Sequence, residues 1–260
     1  MANWETVNPD LIELLNCMFL NKHITPRQKQ GVIICLPNDN GDGTPNGYRP
    51  ISLLNTDYKI MARILARRLK LVMDEQLQHT QFCGVSGNSI IDAASQIRDI
   101  IAHAEHTGTP LCVLSLDFHN AFDRIAHEYL FYILHSYGIQ KGFLDCLRAM
   151  YTEVTFFVQV NDTLAGPIPI HCGVRQGCPL SMALYALCLH PLLGMLDHSL
   201  RGLQIGRGKR YQPVLAYADD ITTFVTHPED FQKIITAIKS FERATGAILN
   251  PHKSKAMAIG

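Results

Sequence analysis

The chain has 260 residues, 47% of them hydrophobic and 18% charged, which is the balance of an ordinary globular protein with enough apolar material for a real core. Its 23 Lys plus Arg cancel 23 Asp plus Glu, which excludes a long-range global attraction for nucleic acid, so any phosphate contact must come from local clusters of cations. No apolar run reaches ~18 residues without a charge, and the amino terminus MANWETVNPD has neither a basic region nor an apolar stretch, which predicts a soluble intracellular protein or a soluble part of a larger one.

Residues 10–22 carry apolar side chains at helical spacing, and Asn8-Pro9 ahead of them predicts the helix start. GVIICL (31–36) reads as a strand running into an exposed Pro/Asn/Asp/Gly loop at 37–47. Helical spacing returns at 55–74, with Ile60, Ile64, Leu65, Leu69 and Val72 on one stripe and a set of basic residues mostly elsewhere. Another helix is expected at 88–106, followed by the apolar strand LCVLSLD (111–117), which ends on an aspartate. Helices at 126–137 and 141–151, a strand at TFFVQVN and a Gly/Pro connection come next. GVRQGCPLSMALYALCLHPLLGML predicts a glycine turn feeding a long apolar helix, residues 212–226 two strands joined across Ala218-Asp219-Asp220, and 229–244 a last helix. The irregular mixture predicts an α+β fold with an antiparallel sheet packed on helices, not a doubly wound one.

The eight cysteines form no CxxC pair, and several lie in apolar runs, so they read as reduced core residues. His171, Cys172 and Cys178 have poor zinc spacing.

Chemistry concentrates on aspartates. Asp219 and Asp220 fall at the tight turn of a hairpin, where two like charges repel and call for a cation. A hard divalent ion such as Mg²⁺ suits oxygen ligands while keeping waters for phosphates. Asp117 ends another apolar strand, and three such carboxylates could hold two ions about 4 Å apart. A lone aspartate at a turn is ordinarily a cap, which is how Asp162 and Asp230 read; Asp123 reads as a helix-terminal or structural residue.

Five blocks in fixed order carry a more specific signal: YRPISLLNTDYKIMARILARRL (48–69), LSLDFHNAFDRI (114–125), GVRQGCPLSMALYAL (173–187), YADD (217–220) and TGAILNPHKSK (245–255). Over about four fifths of its length the chain resembles the reverse-transcriptase domain of LINE-type, non-LTR retrotransposons. The resemblance implies a right-hand polymerase core: a fingers region at 1–109 with the N-terminal and basic helices, and a palm at 110–260, with part of the fingers recurring within 138–180 and no room for a thumb. It implies RNA-directed DNA synthesis on a primer 3′-hydroxyl by two-metal catalysis. The partners are an RNA template, a DNA primer and dNTP, two Mg²⁺ ions (Mn²⁺ as substitute) serve as cofactor, and the site of action is the nucleus or cytoplasm. The chain would then be a fragment of a retrotransposon protein whose thumb and endonuclease lie elsewhere.

Carried over residue by residue, Asp117, Asp219 and Asp220 match the metal-binding catalytic aspartates. Phe122 matches the aromatic beneath the incoming sugar that disfavours a 2′-hydroxyl, and Arg49 the fingers arginine that grips the triphosphate. Gln176 and Gly177 match the turn around the nascent base pair, Asn120 and Ala121 the backbone that approaches the triphosphate, and Lys253 the lysine near the leaving pyrophosphate. Lys59, Arg63, Arg67 and Arg68, with Arg207, Lys209 and Arg210, supply the clusters that the neutral total conceals and that would hold nucleic-acid phosphates.

Three positions depart from the family pattern. Asn38, Asn88 and Asn120 stand where basic residues are usual, which points toward weaker polyanion binding. Three other readings stay open: a degenerate, inactive remnant that at most binds RNA, a metal-dependent phosphohydrolase that uses the same carboxylates with water as nucleophile, and a structural or protein-binding module, for which the sequence offers no particular surface.

Overall fold

The computed structural model describes residues 4–37, 44, 47–77, 79–206 and 208–260. In chain order the elements are α1 (Trp4–Leu20), α2 (Pro26–Lys29), β1 (Gly31–Pro37), β2 (Tyr48–Leu54), α3 (Thr56–Gln76), α4 (Ile90–Thr107), β3 (Leu111–Leu116), α5 (Ala121–Arg124), α6 (His127–Ser136) and α7 (Lys141–Tyr151). They continue as β4 (Val154–Val160), β5 (Thr163–Ile170), α8 (Ser181–Ser199), β6 (Gln204–Gly206), β7 (Lys209–Arg210), β8 (Val214–Tyr217), β9 (Asp220–Val225), α9 (Glu229–Thr245) and β10 (Lys255–Ile259). The fold is mixed α+β. It divides into two compact units, each taking two stretches of chain: Met1–Arg67 with Ala126–Ser181, and Arg68–Ile125 with Met182–Gly260.

The first unit carries a four-stranded sheet in the order β2-β1-β4-β5. β1 runs antiparallel to β2 and parallel to β4, a pairing of Gly31 with Phe156 that no local pattern announces. α7 buries Leu144, Cys146, Leu147, Met150 and Tyr151 at helical spacing and packs with α1 and α6. At the centre lies Arg175, 6% exposed, its guanidinium 4.7 Å from the ring of Tyr58, 4.9 Å from Tyr151 and 5.7 Å from Phe156. It also donates to the Met150 carbonyl at 2.6 Å. Ring faces thus offset the cost of burying this cation.

The second unit is built on an antiparallel sheet, β10-β3-β9-β8. Phe82, Ile100, Leu111, Val113, Leu215 and Phe224 belong to one buried cluster beneath it, and α4 packs on β8 and β10. The helix starts at a reciprocal Ser89/Asp92 capping box and stops at Gly108 in the left-handed conformation. From Ala183 to Leu189 every residue of α8 is buried, as expected for a helix that is apolar all round. α9 buries Ile234, Ala237, Ile238 and Phe241 on one face, and Phe241 meets Phe118 edge-on at 5.7 Å.

Three local expectations are corrected. α1 begins at Trp4 and contains Pro9. The missing Pro9 amide affects the carbonyl of Glu5, an exposed residue in the first turn that solvent can serve. The Gly/Pro connection is β5, an edge strand paired, among the described residues, only to β4, where proline is tolerated because no second strand there asks for its amide. In α3 the fully buried stripe is Tyr58, Met61, Ala62, Leu65, Leu69 and Met73, whereas Ile60, Ile64 and Val72 are half-buried on its flank. Most of the expected 37–47 loop, including Asn38, lies outside the described residues, as does Arg207.

Candidate functional site

In the second unit the sheet brings its acidic ends together. Leu116 pairs with Ile221, so one further step in this antiparallel register sets Asp117 opposite Asp220. Tyr217 pairs with Asp220, leaving Ala218 and Asp219 as a two-residue hairpin turn. Asp117 and Asp219 are half-buried and Asp220 is exposed. Burial, then the negative charges of Asp220 and Asp117, push the Asp219 carboxyl above its ordinary range, against a backbone hydrogen bond that lowers it. Among the described residues no ion pair reaches any of the three. Nor, among those residues, do three His, Cys, Asp or Glu side chains form a preassembled metal cluster.

Asn120 takes a left-handed conformation at φ 46° and starts the short α5, followed by buried Ala121 and half-buried Phe122. The Phe122 ring lies against Tyr185 of α8. Tyr185 is 1% exposed, and burial followed by the charge of Asp219 drives its hydroxyl far above the ordinary range. Lys253 sits exposed on a turn clasped to the Asp117 strand end: Asn250 donates its amide to the Asp117 carbonyl at 2.7 Å, and the Asp117 amide donates to Ser254 Oγ at 3.1 Å. Phe118 bridges Leu249 just beyond.

The first unit holds the other substrate-binding candidates. Arg49 is exposed on β2 opposite Leu36. Three residues further on, the Ser52 amide donates to the Gln176 carbonyl at 2.8 Å. Gly177 has φ +98°, and a Cβ there would lie 2.8 Å from the Ser52 carbonyl oxygen, so only glycine fits this turn. Arg49, Gln176 and Gly177 are therefore brought to one strand.

Lys59, Arg63 and Arg67 recur every four residues on α3 and, with Thr56, Ile60 and Ile64, line a cavity of about 440 Å³. Arg68 is exposed but does not line it. Lys209 is exposed, whereas Arg210 is engaged with the Asp197 carboxylate and the Asp197 and Leu200 carbonyls at the end of α8.

Sequence reasoning missed Tyr185, Ser254 and Arg175. Tyr185 hides in an apolar helix where an aromatic reads as filler, Ser254 acts through its hydroxyl on a backbone amide, and Arg175 is a cation in a core position. Asn88, which stands where a basic residue is usual, donates to the Gln81 carbonyl at 3.2 Å.

Residues 36–258 match the family model described as reverse transcriptase (RNA-dependent DNA polymerase). The chain is 34% identical over 257 residues to the transposon TX1 uncharacterized 149 kDa protein of Xenopus laevis, covering 99% of this chain and 20% of that one. It is 27% identical to the retrovirus-related Pol polyprotein from type-1 retrotransposable element R2 of Popillia japonica, over 86% of this chain and 31% of that protein. Thus it spans about a fifth to a third of these relatives. Among solved structures, telomerase from Candida tropicalis superimposes with a TM-score of 0.65 over 98% of this chain and 44% of that one, at 14% identity, a likeness of fold alone. Among the described residues no helix is long and apolar enough to cross a membrane.

Proposed function

Because the chain belongs to the reverse-transcriptase family, in the form carried by non-LTR retrotransposons, we propose that it is the fingers and palm of an RNA-directed DNA polymerase. It adds deoxynucleotides to a primer 3′-hydroxyl on an RNA template, as part of a longer retrotransposon protein. One observation carries the reading: the strand register sets Asp117, Asp219 and Asp220 at one sheet end, and among the described residues none of them is in an ion pair.

That donor set fits Mg²⁺, or Mn²⁺ in its place, since such an ion is held by one or two carboxylates together with waters and substrate phosphates and needs no closed protein cage. When bound, two such ions lower the cost of charge on the attacking and leaving oxygens. The remaining work belongs to the chain. Asp219, whose raised proton affinity comes from burial and like charge, must be ionised to act as a ligand. Phe122, whose ring is backed by Tyr185, lies beneath the incoming sugar and disfavours a 2′-hydroxyl. The backbone at Asn120 and Ala121 approaches the triphosphate, the ammonium of Lys253 meets the departing pyrophosphate, and the Arg49 fork grips phosphate oxygens. Gln176 and Gly177 shape the turn around the nascent base pair. Lys59, Arg63, Arg67 and Arg68, with Arg207, Lys209 and Arg210, hold template and primer phosphates.

Primer extension on an RNA template with Mg²⁺ or Mn²⁺ tests this. The native chain incorporates dNTP and Asp219→Ala loses at least about a hundredfold of that rate. No incorporation by the native chain, or equal incorporation by both, overturns the proposal.

A further inference from the structure

Ala218, the residue before Asp219, has φ +58° at the first central position of the hairpin turn, where a side chain is strained and glycine would be at ease. Something must hold it there, and the structure contains a device that does. Gln81, 0% exposed, donates from Nε2 to the Ala218 carbonyl at 3.0 Å and accepts at Oε1 from the Ala218 amide at 2.9 Å. The same Oε1 accepts from the Cys83 amide at 3.0 Å. One primary amide therefore grips both polar groups of a single strained residue.

The grip is itself fixed. Residues 80–82 lie along the free edge of β8: the Ala216 amide donates to the Thr80 carbonyl at 2.7 Å and the Phe82 amide to the Ala216 carbonyl at 2.8 Å. Phe82 is anchored in the buried cluster, and Asn88 donates to the Gln81 carbonyl at 3.2 Å. All of these residues belong to the second unit.

We infer that Gln81 is a positioning residue, which sets the angle at which Asp219 leaves the sheet by locking Ala218 in its left-handed conformation. The inference rests on the reading that the hairpin carboxylates bind the ion. Gln81 touches no substrate; it acts through Ala218. Its loss should therefore disturb use of the ion and the chemical step more than nucleotide binding, because a ligand misplaced by about 1 Å can cost on the order of a hundredfold in rate.

The test combines Gln81→Met, which keeps the volume and removes the amide, with Ala218→Gly, which relaxes the turn. Gln81→Met should lower kcat about 10- to 100-fold and raise the half-saturating Mg²⁺ several-fold, with dNTP KM within about twofold of native. Adding Ala218→Gly should recover much of kcat, since glycine takes the turn without a clamp. Native kcat and Mg²⁺ dependence in Gln81→Met, or no recovery in the double variant, overturns the inference. Gln81→Leu, which removes the amide with a smaller apolar side chain, gives the same comparison should the methionine variant fail to fold. Amide exchange on the native chain supplies an independent reading. The Ala218 amide should exchange far more slowly than an open turn amide, and exchange at the open rate also overturns the inference. If Asp219→Ala abolishes incorporation while Gln81→Met does not, only the clamp fails; if Asp219→Ala is silent, the underlying reading fails.

Discussion

The ring of Phe122 lies nearly flat on that of Tyr185, with centroids 4.6 Å apart and planes 23° from parallel. Tyr185 is fixed in the uniformly buried stretch of α8 from Ala183 to Leu189, so Phe122 rests on a firm support. A side chain held from beneath in this manner can exclude a hydroxyl group by shape.

Replacing Phe122 with alanine should open that space. The dNTP to NTP preference in single-nucleotide incorporation is expected to fall by at least about tenfold, the scale on which a pocket discriminates by one small group. An unchanged preference would remove Phe122 from the discrimination of sugars.

Gly177→Ala should destabilise the first unit by about 1–3 kcal/mol, because the position combines positive φ with a carbonyl in the path of any Cβ. Denaturant unfolding measures this. A midpoint equal to native would mean that the turn against Ser52 relaxes freely.

The α3 ladder makes a prediction about salt. Neutralising Lys59, Arg63 and Arg67 together should weaken single-stranded RNA binding and flatten the dependence of log K on log salt by about 0.7 for each phosphate that the variant no longer neutralises. A native slope in the triple variant would mean that other cations hold the phosphates.

Asp230 is 0% exposed and accepts from Lys233 Nζ at 2.7 Å and the Arg201 amide at 3.3 Å. Burial alone would raise its pKa, but the bonds from Lys233 and Arg201 outweigh that and hold it below the ordinary value. A carboxylate depressed in the folded state contributes stability above its unfolded pKa, near 4, and loses it as pH falls through the lower folded value. Asp230→Asn should therefore cost about 3 kcal/mol at neutral pH, and the gap to native should close in acid. A gap that persists undiminished at low pH would show that shape, not charge, is what the asparagine lacks.

Much of the second unit's sheet could be read from sequence because its signals are local. The apolar run ending at Asp117 and the two runs flanking Ala218-Asp219 are β3, β8 and β9 within a few residues. β10 is not legible because its apolar run, Ala256 to Ile259, is only four residues long and shows none of the alternation that marks a half-buried strand. The phase of α3 misleads because Ile60 and Ile64 face a cavity among cations, where chemical type and burial part company. The parallel pairing of β1 with β4 joins segments more than a hundred residues apart, and local periodicity holds no information on such a partner. For the site, carboxylates at strand ends were legible from position. The amide of Gln81 was not, since a polar residue between turn and helix carries no sign that it will be wholly buried.

The two four-stranded sheets differ in how their borders meet the surroundings. β5 carries Pro167 and Pro169, which lack the amide hydrogens a new neighbour would need, and the 80–82 segment already occupies the rim of β8. Among the described residues β10 has neither guard: it is the outermost strand of its sheet, with Met257 49% exposed and Lys255 its only charged residue. An edge of this kind offers unpaired backbone to a second copy in a concentrated preparation, so purification conditions that keep lysine charge repulsion strong, at low salt, favour a dispersed sample.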